Sequence, residues 1–240
     1  MPNFLDLAPV SGDVDIAILS LPYELTTSYG QGTASGPEAC IKASTQVELY
    51  DENLGEDLPA GLSIHTVPPW DGDEATLLQQ LDSMTSYLIP WFMGDCFPVC
   101  LGGEHGILPS IMEAVRQHPL VQNDLSNLTV VQIDAHGDLR AELDGEPYSH
   151  ACAAARALDA GIASLLQVGI RAYSKEEHER MLHDERITTF FAKDTQSPQN
   201  GSHHWNQWLQ TLTSIEGPVH LTIDIDGLDG TLVPATGTPV

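Results

Sequence analysis

The sequence has few basic residues, few cysteines and no long apolar run. It contains 9 Lys and Arg against 34 Asp and Glu, a formal net charge of −25. Binding to nucleic acid or to an anionic membrane needs clustered cations, so this balance predicts neither kind of partner. No apolar stretch reaches the roughly 20 residues that span a bilayer, and the first residues, MPNFLDLAPVSGDVD, lack the regions of a signal peptide. These absences predict a cytoplasmic protein.

The excess of acidic residues has two interpretations. An acidic surface keeps a protein soluble, also in a salty environment. It also attracts a cationic small molecule. The sequence leaves both interpretations open.

Cysteine does not indicate a zinc site or a disulfide framework. The four cysteines lack the paired spacing of a zinc ribbon, and two of them flank an apolar run, FPV, that is typical of a buried strand. We expect all four to be buried as small apolar residues without disulfides. They are Cys40, Cys96, Cys100 and Cys152.

Apolar, β-rich runs alternate with helix-length segments along the whole chain. The pattern predicts strands at Val14–Leu19, Leu62–Val67, Phe97–Leu101, Leu128–Ile133, Leu165–Ile170, Ile187–Phe191 and Val219–Ile225. It predicts helices near Glu38–Leu49, Glu74–Trp91, Ile107–Gln117, Ala151–Asp159, Lys175–His183 and His203–Leu212. Apolar strands joined by crossover helices indicate a parallel sheet covered on both faces. We therefore expect one α/β domain over residues 1–240, a three-layer α/β/α sandwich. A TIM barrel, the alternative, needs eight strand–helix units and more residues.

Candidate metal ligands follow three of these strands, at the sheet end where open α/β folds bind ligands. The motif IDAHGD places Asp134, His136 and Asp138 at alternate positions, which in extended backbone project to the same side. A second strand ends in DIDG, and a third is followed by GGEHG, whose glycines allow close backbone approach. These motifs add Asp224, Asp226 and His105.

The six residues together predict a binuclear metal site. A single Asp at a strand end is commonly a turn or cap residue, but four grouped carboxylates without a cation would repel one another. Two dications neutralise four carboxylates when both histidines are neutral, and a bridging hydroxide then leaves a site suited to a cationic substrate. Oxygen-rich ligands with two imidazoles favour Mn²⁺ over zinc.

The motifs GGEHG, IDAHGDLR and TIDIDGLDGTLVPATGTPV resemble the metal-binding signatures of the ureohydrolase superfamily, which includes arginases and agmatinases. The stretches PYELTTSYGQGTASGPEACIKASTQVELYDENLG and VGIRAYSKEE are similar to the bacterial and archaeal agmatinases. The resemblance covers nearly the whole chain. It implies the fold of arginases and deacetylases, a homo-oligomer (trimer or hexamer), and hydrolysis of a guanidino group to urea and an amine, as in polyamine biosynthesis.

The resemblance also implies a role for each ligand. One Mn²⁺ is expected at His105, Asp134, Asp138 and Asp224, and the other at Asp134, His136, Asp224 and Asp226. Asp138 is expected to orient the attacking hydroxide as a catalytic residue. His150, in the sequence YSH, matches the general acid/base histidine that protonates the departing amine. By sequence alone, His150 is equally a cap of the following helix.

The segment between Asp138 and His150 carries three acidic residues, Glu142, Asp144 and Glu146. In arginases the corresponding loop is rich in Ser, Thr and Asn, which hold the substrate carboxylate. The acidic residues would repel a carboxylate and suit a terminal ammonium, which favours agmatine over arginine or guanidino acids. The alternative is that acidic residues are simply common on this surface.

Two positions depart from the family pattern. Gly230 stands where proline usually follows GLD. The chain stops at Val240, whereas related enzymes continue through a helix, a last strand and a glutamate that is thought to hold the guanidinium. The sheet is therefore expected to lack the usual C-terminal strand and to leave an exposed edge. The chain is interpreted either as a fragment or as a shortened relative.

Three other functions remain alternatives. An arginase or guanidino-acid hydrolase has the same metal motifs. A deacetylase-like enzyme uses one zinc, which the four carboxylates disfavour. A truncated, non-catalytic metal-binding relative would be expected to have lost ligands, and all six are present.

Overall fold

The computed structural model describes residues 2–73, 76–238 and 240. The chain forms two compact units. The first comprises Met1–Thr26 and Gln31–Pro119, and the second comprises Thr27–Gly30 and Leu120–Val240. None of the helices found in these residues is long and apolar enough to span a membrane.

The first unit contains a parallel three-stranded sheet in the order β4-β1-β5. Its strands are β1 (Ile16–Leu21), β4 (Ile64–Thr66) and β5 (Phe97–Gly102), and a two-stranded hairpin joins β2 (Tyr50–Asp51) to β3 (Glu56–Asp57). Its helices are α1 (Gly36–Ser44), α2 (Leu77–Phe92) and α3 (Leu108–Arg116). Apolar side chains from these elements are fully buried, among them Leu19, Leu21, Ile41, Leu88 and Met112.

Two helices of this unit differ from the predicted bounds. The helix predicted over Glu38–Leu49 ends at Ser44. The hydroxyls of Ser44 and Thr45 donate to the carbonyls of Ile41 and Lys42, which satisfies the last turn and ends the helix. The helix predicted from Glu74 has its first described residue at Leu77, and the Thr76 side chain accepts from the Gln79 amide as its N-cap. Glu74 itself lies outside the described residues.

The second unit contains a parallel four-stranded sheet in the order β8-β7-β6-β9. The strands are β6 (Thr129–Ile133), β7 (Ser164–Ile170), β8 (Ile187–Phe191) and β9 (Val219–Ile223). The helices are α4 (Ala153–Asp159), α5 (Lys175–His183), α6 (Ala192–Thr195) and α7 (Gly201–Thr213). Val131, Leu166, Val168 and Trp208 form an apolar cluster in this unit. The parallel α/β class predicted from the sequence is confirmed.

Strand β9 is an edge strand in the second unit. It pairs with β6, and no second neighbour is found among the residues that the structure describes. Val219, Leu221 and Ile223 are each about half exposed on it.

The cysteine prediction is only partly right. All four thiols are free, as expected. Cys152 is buried, but Cys40 is exposed and Cys96 and Cys100 are half-buried, so burial of all four is wrong. Phe97, which begins the FPV strand between the last two, is also exposed. The reason is that an apolar composition marks a strand but does not decide whether a neighbouring element covers it.

Candidate metal centre

The ends of β6 and β9 bring two of the predicted motifs together. The strands are neighbours, with Ile133 opposite Ile223 in the register, so both end at the same level. Asp134 and Asp224 are the next residues, and the Asp224 amide donates to the Ile133 carbonyl at 2.9 Å. The parallel pairing therefore places the DAHGD and DIDG segments side by side at the carboxyl end of the sheet.

Asp134, His136 and Asp226 form a compact cluster of possible metal ligands. Each offers one ligand atom, and these atoms all lie within 4.8 Å of one another. The His136 Nδ1 lies 3.1 Å from Asp226 Oδ2 and 3.7 Å from Asp134 Oδ1. The Ala135 amide also donates to Asp226 Oδ1 at 3.2 Å, which ties the two segments at their backbone. Side chains separated by about 90 positions in sequence thus converge on one point.

The electrostatics of this cluster favour a cation. Asp134 and Asp226 are buried, with 1% and 4% of their surface exposed. The neighbouring carboxylates, first Asp134 and then Asp226, raise the pKa of His136 to about 10. Buried carboxylates need a positive partner, and a divalent metal supplies more charge than a protonated imidazole. Metal binding would release the imidazole proton, because a histidine ligand must be neutral.

Asp138 and Asp224 lie next to this cluster. Asp138 is 5% exposed, has a positive φ of 50° and offers a carboxylate oxygen within 4.8 Å of one from Asp134. Among the described residues Asp224 is not in the compact group, and its Oδ1 accepts from the Asp226 amide at 3.2 Å. It therefore caps the short 3₁₀ helix over residues 225–227.

Two glycines allow backbone to pack against Asp134. Gly169 forms a bulge in β7 with a φ of +93°, and a Cβ built on it would lie 2.9 Å from the Asp134 carbonyl oxygen. A Cβ built on Gly227 would lie 2.8 Å from the Asp134 amide nitrogen. Neither position has room for a side chain, because the contacting atoms belong to the backbone of the ligand itself.

Replacing Gly169 with alanine is expected to destabilise the protein strongly. The variant combines left-handed backbone, which costs about 1–2 kcal/mol for a residue with a Cβ, with a clash against the Asp134 carbonyl. We expect the free energy of unfolding to fall by about 3 kcal/mol or more. Denaturant unfolding of both proteins measures this change.

The matched control is Gly161→Ala. Gly161 has a similar φ of +97°, but a Cβ on it would meet nothing within 4 Å. The free energy of unfolding of this variant should fall only by the cost of the left-handed backbone, about 1–2 kcal/mol. Equal losses in the two variants would contradict the proposed crowding around Asp134.

Arg171 holds the segment that carries Asp226. Its guanidinium donates to the carbonyl of Asp226 at 2.6 Å and to that of Leu228 at 3.0 Å. The same side chain reaches the carbonyls of Gly169 and Gly227 at 3.3 Å. The VGIR motif thus contributes a planar donor that fixes a loop by its backbone.

The acidic loop between Asp138 and His150 is built around a tight turn. The amides of Leu143 and Glu146 each donate to the other's carbonyl, and Asp144 and Gly145 have φ values of +54° and +84°. This is the two-residue turn that Asp-Gly favours, so Asp144 has a structural reason to be present. Glu142 and Asp144 are exposed, and Glu146 Oε1 accepts from the Tyr148 amide at 2.9 Å. Their role in substrate binding stays a prediction.

His150 begins a 3₁₀ turn before α4 and contacts two hydroxyls. Its Nε2 lies 3.0 Å from Ser28 Oγ, and its Nδ1 lies 3.3 Å from Ser149 Oγ. The N-cap residue of the 3₁₀ turn is Ser149 and that of α4 is Cys152, so His150 caps neither of them. Ser28 was not among the candidate residues and has no local sequence signal, because it lies far from His150 along the chain.

His105 belongs to the first unit, three residues after the end of β5. The preceding Glu104 is buried, and its carboxylate accepts from the amide and hydroxyl of Thr26, the hydroxyl at 2.7 Å. Burial raises the pKa of Glu104. A Cβ on Gly103 would overlap the Tyr23 carbonyl, so this glycine serves packing inside the first unit. His105 as a metal ligand stays a prediction.

Three polar residues near the cluster lie outside the motifs that predict the site. Gln132 and Gln167 are fully buried within β6 and β7, and Gln132 Nε2 donates to Asp134 Oδ2 at 2.8 Å. Glu177 is buried on α5, where it completes a capping box with Ser174 and accepts from the Leu139 amide at 3.1 Å. For the two glutamines the sequence signal is a polar residue inside an otherwise apolar strand, because a buried amide needs hydrogen-bond partners.

Comparison with known proteins identifies the family of this chain. The model of the arginase family matches residues 14–240. This chain belongs to the arginase family. The N(1)-aminopropylagmatine ureohydrolase of Synechocystis sp. is 34% identical over 232 residues, which cover 95% of this arginase-family chain and 72% of that protein. The agmatinase of Bacillus anthracis is 29% identical over 243 residues, which cover 98% of this chain and 76% of that protein.

Two solved structures are similar in fold to this chain. The agmatine ureohydrolase of Thermoplasma volcanium matches with a TM-score of 0.76 and 26% identity, over 96% of this chain and 74% of that one. The formimidoylglutamase of Bacillus subtilis matches with a TM-score of 0.83 and 21% identity, over 99% of this chain and 74% of that one. This similarity supports the fold alone.

Proposed function

We propose that this arginase-family chain hydrolyses a guanidino group to urea and an amine with two bound Mn²⁺ ions. The observation that carries the proposal is the cluster of buried Asp134 and Asp226 with half-buried His136 at the carboxyl end of the second unit's sheet. Relatives named agmatinase and N(1)-aminopropylagmatine ureohydrolase support the reaction type.

The ligands suit Mn²⁺ by their chemistry. The proposed set is four carboxylates and two imidazoles, which is richer in oxygen than zinc sites usually are. When bound, the ions supply Lewis-acid chemistry that lowers the pKa of water and polarises the guanidinium. We assign His105, Asp134, Asp138 and Asp224 to one ion, and Asp134, His136, Asp224 and Asp226 to the other.

Two residues would move or hold protons in the reaction. Asp138 is buried beside Asp134, where its carboxylate can accept a hydrogen bond from the attacking water and orient it. His150 would protonate the departing amine. Its contact with Ser28 supports this role, because a hydroxyl 3.0 Å from Nε2 restricts the ring's orientation.

The substrate we favour is agmatine, which would give putrescine and urea. The exposed Glu142 and Asp144 place negative charge on the loop that ends at His150, and a net charge of −25 attracts cations. N(1)-aminopropylagmatine is the second candidate, because a relative named for it is 34% identical and a longer polycation suits the same charges. Arginine and guanidino acids carry a carboxylate that these residues would repel.

The test measures metal content and urea release on the full chain. We expect about two Mn²⁺ per chain and the fastest urea release from agmatine or N(1)-aminopropylagmatine, compared with arginine and 4-guanidinobutyrate. A clear preference for arginine would refute the substrate proposal. Bound metal without turnover would instead support the non-catalytic relative, and absence of bound metal would refute the metal centre.

Three broader expectations accompany this proposal. We place the chain in the cytoplasm, in polyamine biosynthesis, as a homo-oligomer of three or six subunits. Its acidic composition supports the absence of nucleic-acid and membrane partners. Sedimentation of the purified protein tests the subunit number directly.

A further inference from the structure

Three polar side chains lie at one level across three neighbouring strands of the second unit. Gln132 on β6 is the register partner of Gln167 on β7, and Gln167 is the register partner of Thr189 on β8. Register partners in a parallel sheet project to the same face. Both glutamines have 0% of their surface exposed. Such positions in an apolar strand are costly for an amide unless every polar atom is paired.

These side chains form a continuous hydrogen-bonded row that ends on Asp134. The Thr189 hydroxyl donates to Gln167 Oε1 at 2.9 Å, and Gln167 Nε2 donates to Gln132 Oε1 at 2.8 Å. Gln132 Nε2 then donates to Asp134 Oδ2 at 2.8 Å. Gln167 Nε2 also donates to the Gly137 carbonyl at 2.9 Å, so the row holds the backbone of the DAHGD segment as well.

The two ends fix the direction of every bond in the row. The Asp134 carboxylate only accepts, so Gln132 must turn its NH₂ group towards it and its Oε1 towards Gln167. The Gly137 carbonyl also only accepts, so the NH₂ group of Gln167 must face both this carbonyl and Gln132 Oε1. Gln167 Oε1 then faces Thr189, whose hydroxyl must donate. One arrangement satisfies all of these atoms, and a reversed amide would break at least two bonds.

The row leaves the Asp134 carboxylate little freedom. Its Oδ2 accepts from Gln132, and its Oδ1 accepts from the His136 amide at 2.7 Å. A carboxylate with a donor on each oxygen is fixed in its plane before a metal arrives. Ordering of this kind lowers the entropic cost of binding and raises affinity.

We propose that Gln132, Gln167 and Thr189 are positioning residues that preset Asp134 and the DAHGD backbone for metal binding. This inference rests on the proposed metal centre and deepens it. The three residues act through Asp134 and do not touch substrate. Their contribution should therefore appear in metal affinity first and in catalysis only as its consequence.

The principal test is Gln132→Met, which keeps the length of the side chain and removes its amide. Mn²⁺ is titrated into the metal-free full chain by calorimetry, and we expect affinity to fall by about 10- to 100-fold. The matched control is Thr129→Val. Thr129 lies on the same strand, and the one side-chain hydrogen bond found for its hydroxyl among the described residues joins it to Ser164, 3.0 Å away at the amino end of β6. The Thr129→Val variant should bind Mn²⁺ with the same affinity as the unsubstituted chain.

Two variants of Thr189 change the row less than Gln132→Met does, and they test it if Gln132→Met fails to fold. Thr189→Val has nearly the same shape and removes the terminal donor, whereas Thr189→Ser keeps it. We expect Thr189→Val to weaken Mn²⁺ binding by less than about tenfold and Thr189→Ser to restore it. A purely structural role for the hydroxyl would lower the unfolding temperature of Thr189→Val without changing its Mn²⁺ affinity.

The outcomes separate this inference from the proposed function. If the unsubstituted chain binds Mn²⁺ and releases urea, but folded Gln132→Met binds equally tightly, the positioning role is wrong and the enzyme proposal stands. If Thr129→Val weakens binding as much as Gln132→Met, general loosening of β6 explains the effect and the positioning role is again wrong. If the unsubstituted chain binds no Mn²⁺, the metal centre fails and the inference fails with it.

Discussion

Asp134→Asn should abolish tight metal binding and lower the rate of urea release by about 1,000-fold or more. A metal ion supplies several kcal/mol of transition-state stabilisation, and each 1.36 kcal/mol is a tenfold change in rate. Asp134 faces His136 in the compact cluster and is the acceptor for both Gln132 and the His136 amide. Asparagine keeps the shape but has one acceptor oxygen in place of two, so the variant loses the charge and one of these two hydrogen bonds.

Metal analysis by mass spectrometry and a urea assay on the purified variant measure both effects. The control is Asp229→Asn, a neighbouring and exposed acid whose carboxylate contacts only Thr231 in the hydrogen bonds found. It should retain metal and activity. Full metal content in Asp134→Asn would show that the cluster is not the metal site, and equal losses in both variants would point to a general charge effect.

His150→Gln should lower kcat by about 100- to 10,000-fold, the range expected for loss of a general acid or base. Metal content should be unchanged, because His150 is outside the proposed ligand set. KM should change little if the imidazole acts mainly in the transition state. Glutamine keeps hydrogen-bonding capacity towards Ser28 but cannot transfer a proton at neutral pH.

Steady-state kinetics over a range of pH tests this role, and the pH profile should lose one limb in the variant. His183→Gln is the matched control, because His183 is exposed on α5. It should leave kcat unchanged. Unaltered kcat in His150→Gln would exclude the proton-transfer role, and raised KM alone would make His150 a substrate-binding residue.

The predicted strands are the part of the fold that sequence patterns indicate well. Strands β6, β7 and β8 are apolar runs bounded by polar segments, and the structure places each within a residue or so of its predicted bounds. The β2–β3 hairpin was not predicted, because its sequence is polar and has no alternation. Strand β9 ends at Ile223 and not at Ile225, since Asp224 caps the 3₁₀ turn that follows. A single domain over residues 1–240 stays a prediction.

The types of candidate metal ligand were readable from sequence, because the side chains of Asp134, His136 and Asp226 stand at strand ends in motifs with alternate spacing. The acidic residues Glu142, Asp144 and Glu146 show that residue type alone does not assign a role. The charge of Asp144 favours a place in the substrate site, whereas its position in the Asp-Gly pair favours a tight turn, and the backbone shows that the turn forms. A residue that suits two roles cannot be assigned by its type alone.

The sequence by itself therefore determined the family, the parallel α/β class and the candidate ligands, because these depend on local patterns of polarity and spacing. Tertiary structure decided which strands are neighbours, and so which ligands meet. The pairing of β6 with β9 brings Asp226 to Asp134, and the pairing of β6 with β7 and β8 brings Gln167 and Thr189 into a row with Gln132. Strand order is set by packing between distant segments, and no local pattern along the chain records it.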